Sequence, residues 1–341
     1  MLRLPAFDLR SPRTVAEAVR LLSENETAMV VAGGTDVLPN LKHELFAPGV
    51  LVSLEDIEGL SGLRTDEDGT LVIGAMTRLD DIASSAVVRE RAPALGQAVS
   101  LIAGPQLRTM GTLGGNVLLD TRCQWYNQTY FWRKSLGFCL KKDGSACHVV
   151  AGGSKCVAAA SNDSVPALMT LGAGLIIEGP RGRREVGVDD FWRADGIWNK
   201  KFQRDEVLVE IRVPAQAAGH RGAYAKLRDR GSIDFPLLGV AARVDLAADA
   251  PGAEVIGADL VVTALAARPL RIAVSDDLVG TRPGTDSWRD AVAGAAEVAY
   301  KRCHPLPNVP GDHEYRREMV PVAVRRVLEA AVTRSGPVHP I

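Results

Sequence analysis

Cys123, Cys139, Cys147 and Cys156 lie close together in a chain that holds one further cysteine, Cys303. Thiolates that converge suit a soft metal, and no fixed spacing is needed where loops supply the ligands. The spacing is not the tight series of small ferredoxins. From the residues alone three chemistries stay open: a 4Fe–4S cluster, a structural zinc site, or buried thiols without metal. His148, beside Cys147, is a fifth candidate ligand or a plain hydrogen-bonding side chain.

Two glycine motifs form the second chemical signal. Ala32-Gly33-Gly34-Thr35-Asp36 and Thr112-Leu113-Gly114-Gly115-Asn116 each follow an apolar stretch and carry a hydroxyl. Glycine lets backbone N–H groups approach and surround an anion, so paired turns of this kind could clamp a pyrophosphate. Each alone could equally be an ordinary tight turn. The Rossmann G-x-G-x-x-G pattern and the Walker Gly-Lys pair are both absent. Cys303 has no evident catalytic partner and reads as a bystander. His43-Glu44 and His313-Glu314 do not extend to the H-E-x-x-H of zinc proteases.

The elements that must position these groups are legible in outline. Thr14 to Glu17 has capping-box spacing before an apolar stripe of Val15, Val19 and Leu22. Strand-like runs at Ala28–Ala32 and Val50–Leu54 predict a small βαβ unit with a glycine turn after its first strand. Strands are expected at Leu71–Ala75, Leu175–Ile177 and Val207–Ile211. Helices are expected over Asp80–Ser84, over Val87–Ile102 and within Ala158–Leu171. After a linker from Val213 to Gly222, Leu237–Leu246 and Leu260–Leu265 read as strands of an antiparallel sheet. Trp288–Tyr300 and Tyr315–Val332 read as helices. Forty basic and forty-one acidic residues give a formal charge of −1, which leaves no bulk field to attract nucleic acid or anionic membrane. No apolar run is long enough to span a bilayer. The stretch from Met1 to Asp8 meets charge and proline too early for a secretion signal, so a cytoplasmic protein is expected.

The two glycine motifs in this order resemble the FAD-pyrophosphate loops of the flavin subunits of molybdenum hydroxylases. Gly104-Pro105-Gln106-Leu107-Arg108-Thr109-Met110 and Tyr224-Ala225-Lys226-Leu227-Arg228 fit the same family, and the resemblance covers nearly the whole chain. It implies an α+β flavoprotein: an FAD-binding domain of two α/β subdomains, of the PCMH type, and a C-terminal α+β domain with an antiparallel sheet and helices. The expected divisions are 1–57, 58–218 and 219–341. By motif position Ala32, Gly33, Gly34, Thr35, Asp36 and Val37 would wrap the pyrophosphate and ribityl, and Thr112, Gly114, Gly115 and Asn116 would complete the site. Asp163 would accept bonds from FAD hydroxyls or cap the following helix. Lys226 would place a positive charge near the flavin.

The cysteines fall where this family needs only a short connection, so they read as an insertion over about 120–158. Its aromatics, Trp125, Tyr126, Tyr130, Phe131, Trp132 and Phe138, would pack a shell around the metal. Its basic residues, Arg122, Arg133, Lys134, Lys141, Lys142 and Lys155, face one acid, Asp143. They would offset an anionic cluster, dock an acidic electron carrier or form a solvated basic loop. A flavin subunit with this insertion resembles the β subunits of the 4-hydroxybenzoyl-CoA reductase branch. That resemblance implies FAD plus a 4Fe–4S cluster on Cys123, Cys139, Cys147 and Cys156. It also implies a ferredoxin donor, and partner subunits carrying 2Fe–2S clusters and the molybdenum cofactor in a dimer of heterotrimers. The reaction implied is reductive removal of the phenolic hydroxyl of 4-hydroxybenzoyl-CoA, with no catalytic residue on this chain. The alternatives are the flavin subunit of another molybdenum hydroxylase and a zinc-stapled interaction subunit without flavin.

Overall fold

The computed structural model describes residues 2–250 and 252–338. Met1 and residues 339–341, the outer ends of the first and last expected domains, lie outside them. The chain folds as three modules in sequence order. The first comprises β1 (Asp8–Arg10), α1 (Val15–Glu24), β2 (Ala28–Val31), α2 (Val37–Lys42) and β3 (Val50–Ser53). Its sheet is parallel, in the order β1-β3-β2. Thr14 caps α1 by accepting from the Glu17 N–H at 3.1 Å. Glu17 Oε2 in turn takes the Arg13 N–H, not the N–H of Thr14 itself. Ala18, Val19 and Leu22 are the buried face of α1, and they pack on Val52 and Leu54.

The second module holds β4 (Leu63–Thr65), β5 (Leu71–Gly74), α3 (Leu79–Ser84), α4 (Ala86–Arg91) and α5 (Pro93–Ser100). It continues with α6 (Pro105–Arg108), α7 (Leu113–Val117), α8 (Tyr130–Ser135), α9 (Ser164–Thr170), β6 (Gly174–Gly179), β7 (Gly182–Gly187) and β8 (Val207–Val213). Its five-stranded sheet runs β4-β5-β8-β6-β7 and is antiparallel throughout. The helix expected over 87–102 is two helices. Pro93 lacks an N–H and takes the first position of α5, which ends α4 at Arg91. Ala158 to Asn162 is not helical, so the helix expected within Ala158–Leu171 is confined to α9.

The third module has β9 (His220–Leu227), β10 (Leu238–Leu246), β11 (Val255–Thr263), β12 (Leu270–Ile272), α10 (Ser275–Leu278), α11 (Asp286–Arg302) and α12 (His313–Thr333). Its antiparallel sheet is ordered β12-β11-β10-β9, and α11 and α12 cover one face with Trp288, Val292, Val320 and Val324. The linker is shorter than expected, because His220 to Gly222 already belong to β9. Tyr224, Ala241 and Val261 from this sheet are buried in the core of the second module, so the two cores are continuous. Among the described residues no helix is long and apolar enough to cross a membrane.

Candidate functional site

The two glycine loops touch. A Cβ on Gly33 would lie 1.7 Å from the Met110 carbonyl oxygen, so only a bare backbone lets the first loop seat on the second. Gly34 has φ +72°, a conformation open to glycine at little cost. No hydrogen bond within the described structure is donated by the backbone N–H groups of Gly33, Gly34, Thr35 or Asp36. Residues 32–38 are all half-buried. Successive partly buried N–H groups without partners are costly unless an acceptor reaches them, and an anion is the natural one.

The second loop is built differently. Thr112 caps α7 by accepting from the Gly115 N–H at 3.1 Å, while the Gly114 N–H goes to Ala75 O at 2.8 Å and the Asn116 N–H to Thr112 O. A Cβ on Gly114 would stand 2.7 Å from that same Ala75 oxygen, so this glycine serves close packing on the residue that follows β5. Asn116 is buried and faces inward. Its Oδ1 accepts from the Ser164 N–H and hydroxyl at 3.1 and 2.6 Å, and Asn162 Nδ2 donates to the Asn116 and Val117 carbonyls at 2.9 Å. The second loop therefore ties α7 to α9 and leaves most of the free donors to the first.

Asp163 occupies the cap position of α9 without capping it. Its carboxylate takes Lys226 Nζ at 2.9 Å and the Tyr224 hydroxyl at 2.8 Å, and Lys226 also donates to Leu101 O at 3.0 Å. All three side chains are buried where β9 meets the second module. Burial pushes the Asp163 carboxyl up and the Lys226 charge pulls it back. Burial and Asp163 together keep the Tyr224 phenol protonated, as a donor must be. The structure thus places Asp163 and Lys226 on each other, as an interdomain ion pair.

The four cysteines, scattered over loops, surround one small cavity with Trp125, Tyr126, Lys141 and His148. Leu45 from the first module packs beside Cys123, Cys139 and Cys156. The Val150 N–H donates to Cys147 Sγ and the Ala158 N–H to Cys156 Sγ, both at 3.4 Å. Burial pushes the Cys123 thiol up to about 12, and the three neighbouring thiols add to the rise. Among the described residues no group of three or more His, Cys, Asp or Glu side chains is placed to hold a metal ion. His148 Nε2 sits 2.5 Å from Phe138 O and its ring lies tilted against Trp125, 5.4 Å between centroids, so its nearest partners are protein groups. Cys303 is remote, in the core of the third module, where burial pushes its thiol up to about 12.

Two expectations for the insertion need correction. Phe131 is 82% exposed and Tyr130 is exposed too, and of the six expected shell aromatics Trp125 and Tyr126 line the cavity while the other four do not. Nor are all the basic residues a solvated face. Arg133 is buried and donates to Glu44 O at 2.8 Å. The Lys141 side chain is buried too, donating to Asp120 Oδ1, Thr121 Oγ1 and Gly196 O at 2.9, 2.8 and 2.6 Å. Sequence reasoning missed these anchors, since a buried lysine and a surface one look alike in the chain. It also missed Arg122, whose guanidinium pairs with Asp36 and lies 4.1 Å from the centroid of the Phe235 ring.

Comparison with known proteins places this geometry in a family. Residues 5–216 match the FAD binding domain in molybdopterin dehydrogenase, and residues 222–331 match the CO dehydrogenase flavoprotein C-terminal domain. The carbon monoxide dehydrogenase medium chain of Hydrogenophaga pseudoflava is 32% identical over 97% of this chain and 98% of its own. The xanthine dehydrogenase FAD-binding subunit of Escherichia coli O157:H7 is 26% identical over 95% of each. A solved carbon monoxide dehydrogenase from H. pseudoflava that lacks the Mo-pyranopterin moiety superposes with a TM-score of 0.78, at 32% identity, over 97% of this chain and 99% of that one. With its FAD-binding domain and its flavoprotein C-terminal domain both matched, the chain belongs to the FAD-binding medium subunits of the molybdenum hydroxylase family.

Proposed function

We propose that this FAD-binding electron-transfer subunit also carries a 4Fe–4S cluster and serves a molybdenum enzyme that reductively dehydroxylates 4-hydroxybenzoyl-CoA. The observation that carries the reading is the ring of Cys123, Cys139, Cys147 and Cys156 around one cavity. A cluster of several irons spreads its thiolates around such a space, whereas a lone zinc draws four sulfurs to about 2.3 Å from one point. The N–H groups aimed at Cys147 and Cys156 suit thiolate ligands, and hydrogen bonds to sulfur tune the potential of such a centre. The free N–H groups of Gly33 to Asp36, with Thr35 beside them, would hold the pyrophosphate of FAD. Ala32 and Val37 would flank it from either end of the loop. Thr112, Gly114, Gly115 and Asn116 would shape its other side, and Asp163 and Lys226 would hold the C-terminal domain in place.

When bound, FAD would supply storage for two electrons and a cluster would supply one-electron transfer. A ring dehydroxylation needs two, and a ferredoxin donor delivers them singly. The partners on this reading are a small subunit with 2Fe–2S clusters and a large subunit with the molybdenum cofactor, in a dimer of heterotrimers. No acid, base or nucleophile for the substrate is assigned to this chain. The protein should purify with flavin absorption over a broad iron–sulfur shoulder, with iron and sulfide each about fourfold over FAD. Reduced ferredoxin or viologen should reduce the flavin quickly, and Cys139→Ser should slow that step. A colourless zinc protein, or equal rates in the variant, would overturn the proposal.

A further inference from the structure

The loop from Arg228 to Leu237 is a part of the third module that meets the second module at Ala103 and at Arg122. It is closed on itself by Arg230, whose Nε donates to Asp234 Oδ1 at 2.8 Å. It is fastened to the second module where the Ile233 N–H and the Ser232 hydroxyl both donate to Ala103 O, at 3.1 and 3.2 Å. Ile233 sits at φ +60° and Ala103 at φ +47°. A β-branched residue in that region is strained, so the contact across the domains is what holds the loop in this form. Beyond it Phe235 projects, about half exposed, with one face against the Arg122 guanidinium.

Arg122 is fixed from three sides. Its backbone pairs with Ala159 in both directions, N–H to O at 2.8 Å and O to N–H at 2.7 Å. Its guanidinium binds the Asp36 carboxylate, which is also held by Asn40 Nδ2 at 2.9 Å. Its Nε is buried without a partner. Asp36 belongs to the loop whose backbone N–H groups donate to no acceptor in the described structure. A free carboxylate there would repel a pyrophosphate, and the guanidinium cancels that charge. The same cation rests on the Phe235 ring, an attraction that strengthens as water is excluded.

We propose that Arg122 is a positioning residue that latches the C-terminal domain onto the flavin cradle. One edge neutralises Asp36 and one face holds Phe235, so FAD leaves only after the Arg122–Phe235 stack opens. The inference rests on FAD lying against the first glycine loop and is independent of the cluster.

The experiment follows FAD release by the rise in flavin fluorescence after dilution. Purified wild type is compared with Arg122→Gln, Arg122→Lys, Phe235→Leu and the Gln/Leu double variant. Arg122→Gln should release FAD about tenfold faster or more, the scale of one lost charge-assisted contact. Arg122→Lys should recover much of the loss, because it keeps the charge that offsets Asp36. Phe235→Leu alters a half-exposed ring outside the core. It should speed release on its own, and the double variant should be no faster than Arg122→Gln. Equal rates in wild type and both single variants would overturn the latch. So would effects that multiply in the double variant, since contacts that act as one do not add. A melting temperature of the flavin-free protein that falls in step with the release rates would do the same, by exposing a general folding defect. Wild type that binds no FAD would overturn the flavin reading itself, a distinct outcome.

Discussion

Gly33 has no room for a side chain. Its added Cβ would stand 1.7 Å from Met110 O, inside any van der Waals contact, so Gly33→Ala must push the two glycine loops apart. We expect a loss of about 1–3 kcal/mol by thermal melting and a sharp fall in bound FAD. Lys200 is a second residue whose chemistry follows from its place. It is fully buried, donates to Asn199 Oδ1 at 2.8 Å and lies 4.9 Å from the Trp198 ring centroid. Burial brings its ammonium down to about 8 from the ordinary value of 10.5. The unfolded chain therefore binds more protons than the folded one between these values. The penalty is full below about pH 8 and shrinks as the pH rises toward 10.5. Lys200→Met should gain its largest melting advantage over wild type at neutral pH, and that gap should narrow by pH 10. A gap that widens would refute the assignment.

The joint between α7 and α9 is the element-scale feature of the cradle. Asn116 satisfies the Ser164 N–H at the start of α9, which no residue before that helix does. Asn116→Ala would leave that buried donor unmet at a cost of about 1–3 kcal/mol. Amide exchange should accelerate first in Ser164–Thr170. Asn116→Asp keeps the acceptor and should behave closer to wild type. The asymmetry explains what the chain disclosed and what it withheld. The glycine pairs and the cysteine group were legible because few residue types can do their work. The central strands β5, β6 and β8 were legible as apolar runs. The edge strands β1 (Asp-Leu-Arg) and β7 (Gly-Arg-Arg-Glu-Val-Gly) were not, since they face water and take their form from the neighbour they pair with. Asp163 was legible as a helix-start residue, but its partners Tyr224 and Lys226 lie across a domain boundary that no local pattern encodes.

The whole molecule closes around that boundary. Lys226→Met would strand the Asp163 carboxylate in the interior, at a cost of about 3–5 kcal/mol. The junction at residues 214–219 should then be cut faster in limited proteolysis. Pairing that change with Asp163→Asn should restore much of the stability, because no uncompensated charge is left. The cysteine insertion binds the same assembly from outside. Arg133 holds it to the first module, Lys141 to the second, and the third accepts the Gln124 N–H at Asn308 O, 2.7 Å away. Its entry and exit are nevertheless a single pair of facing residues, Arg122 and Ala159, bonded to each other in both directions. A segment whose two ends already meet is portable. Its excision leaves neighbouring chain ends that a tight turn can rejoin, and its transfer into a plain flavin subunit asks the host only for a matching pair of adjacent backbone positions. By this hinge the cysteine segment could be gained or shed in one genetic event without redrawing the flavoprotein beneath it.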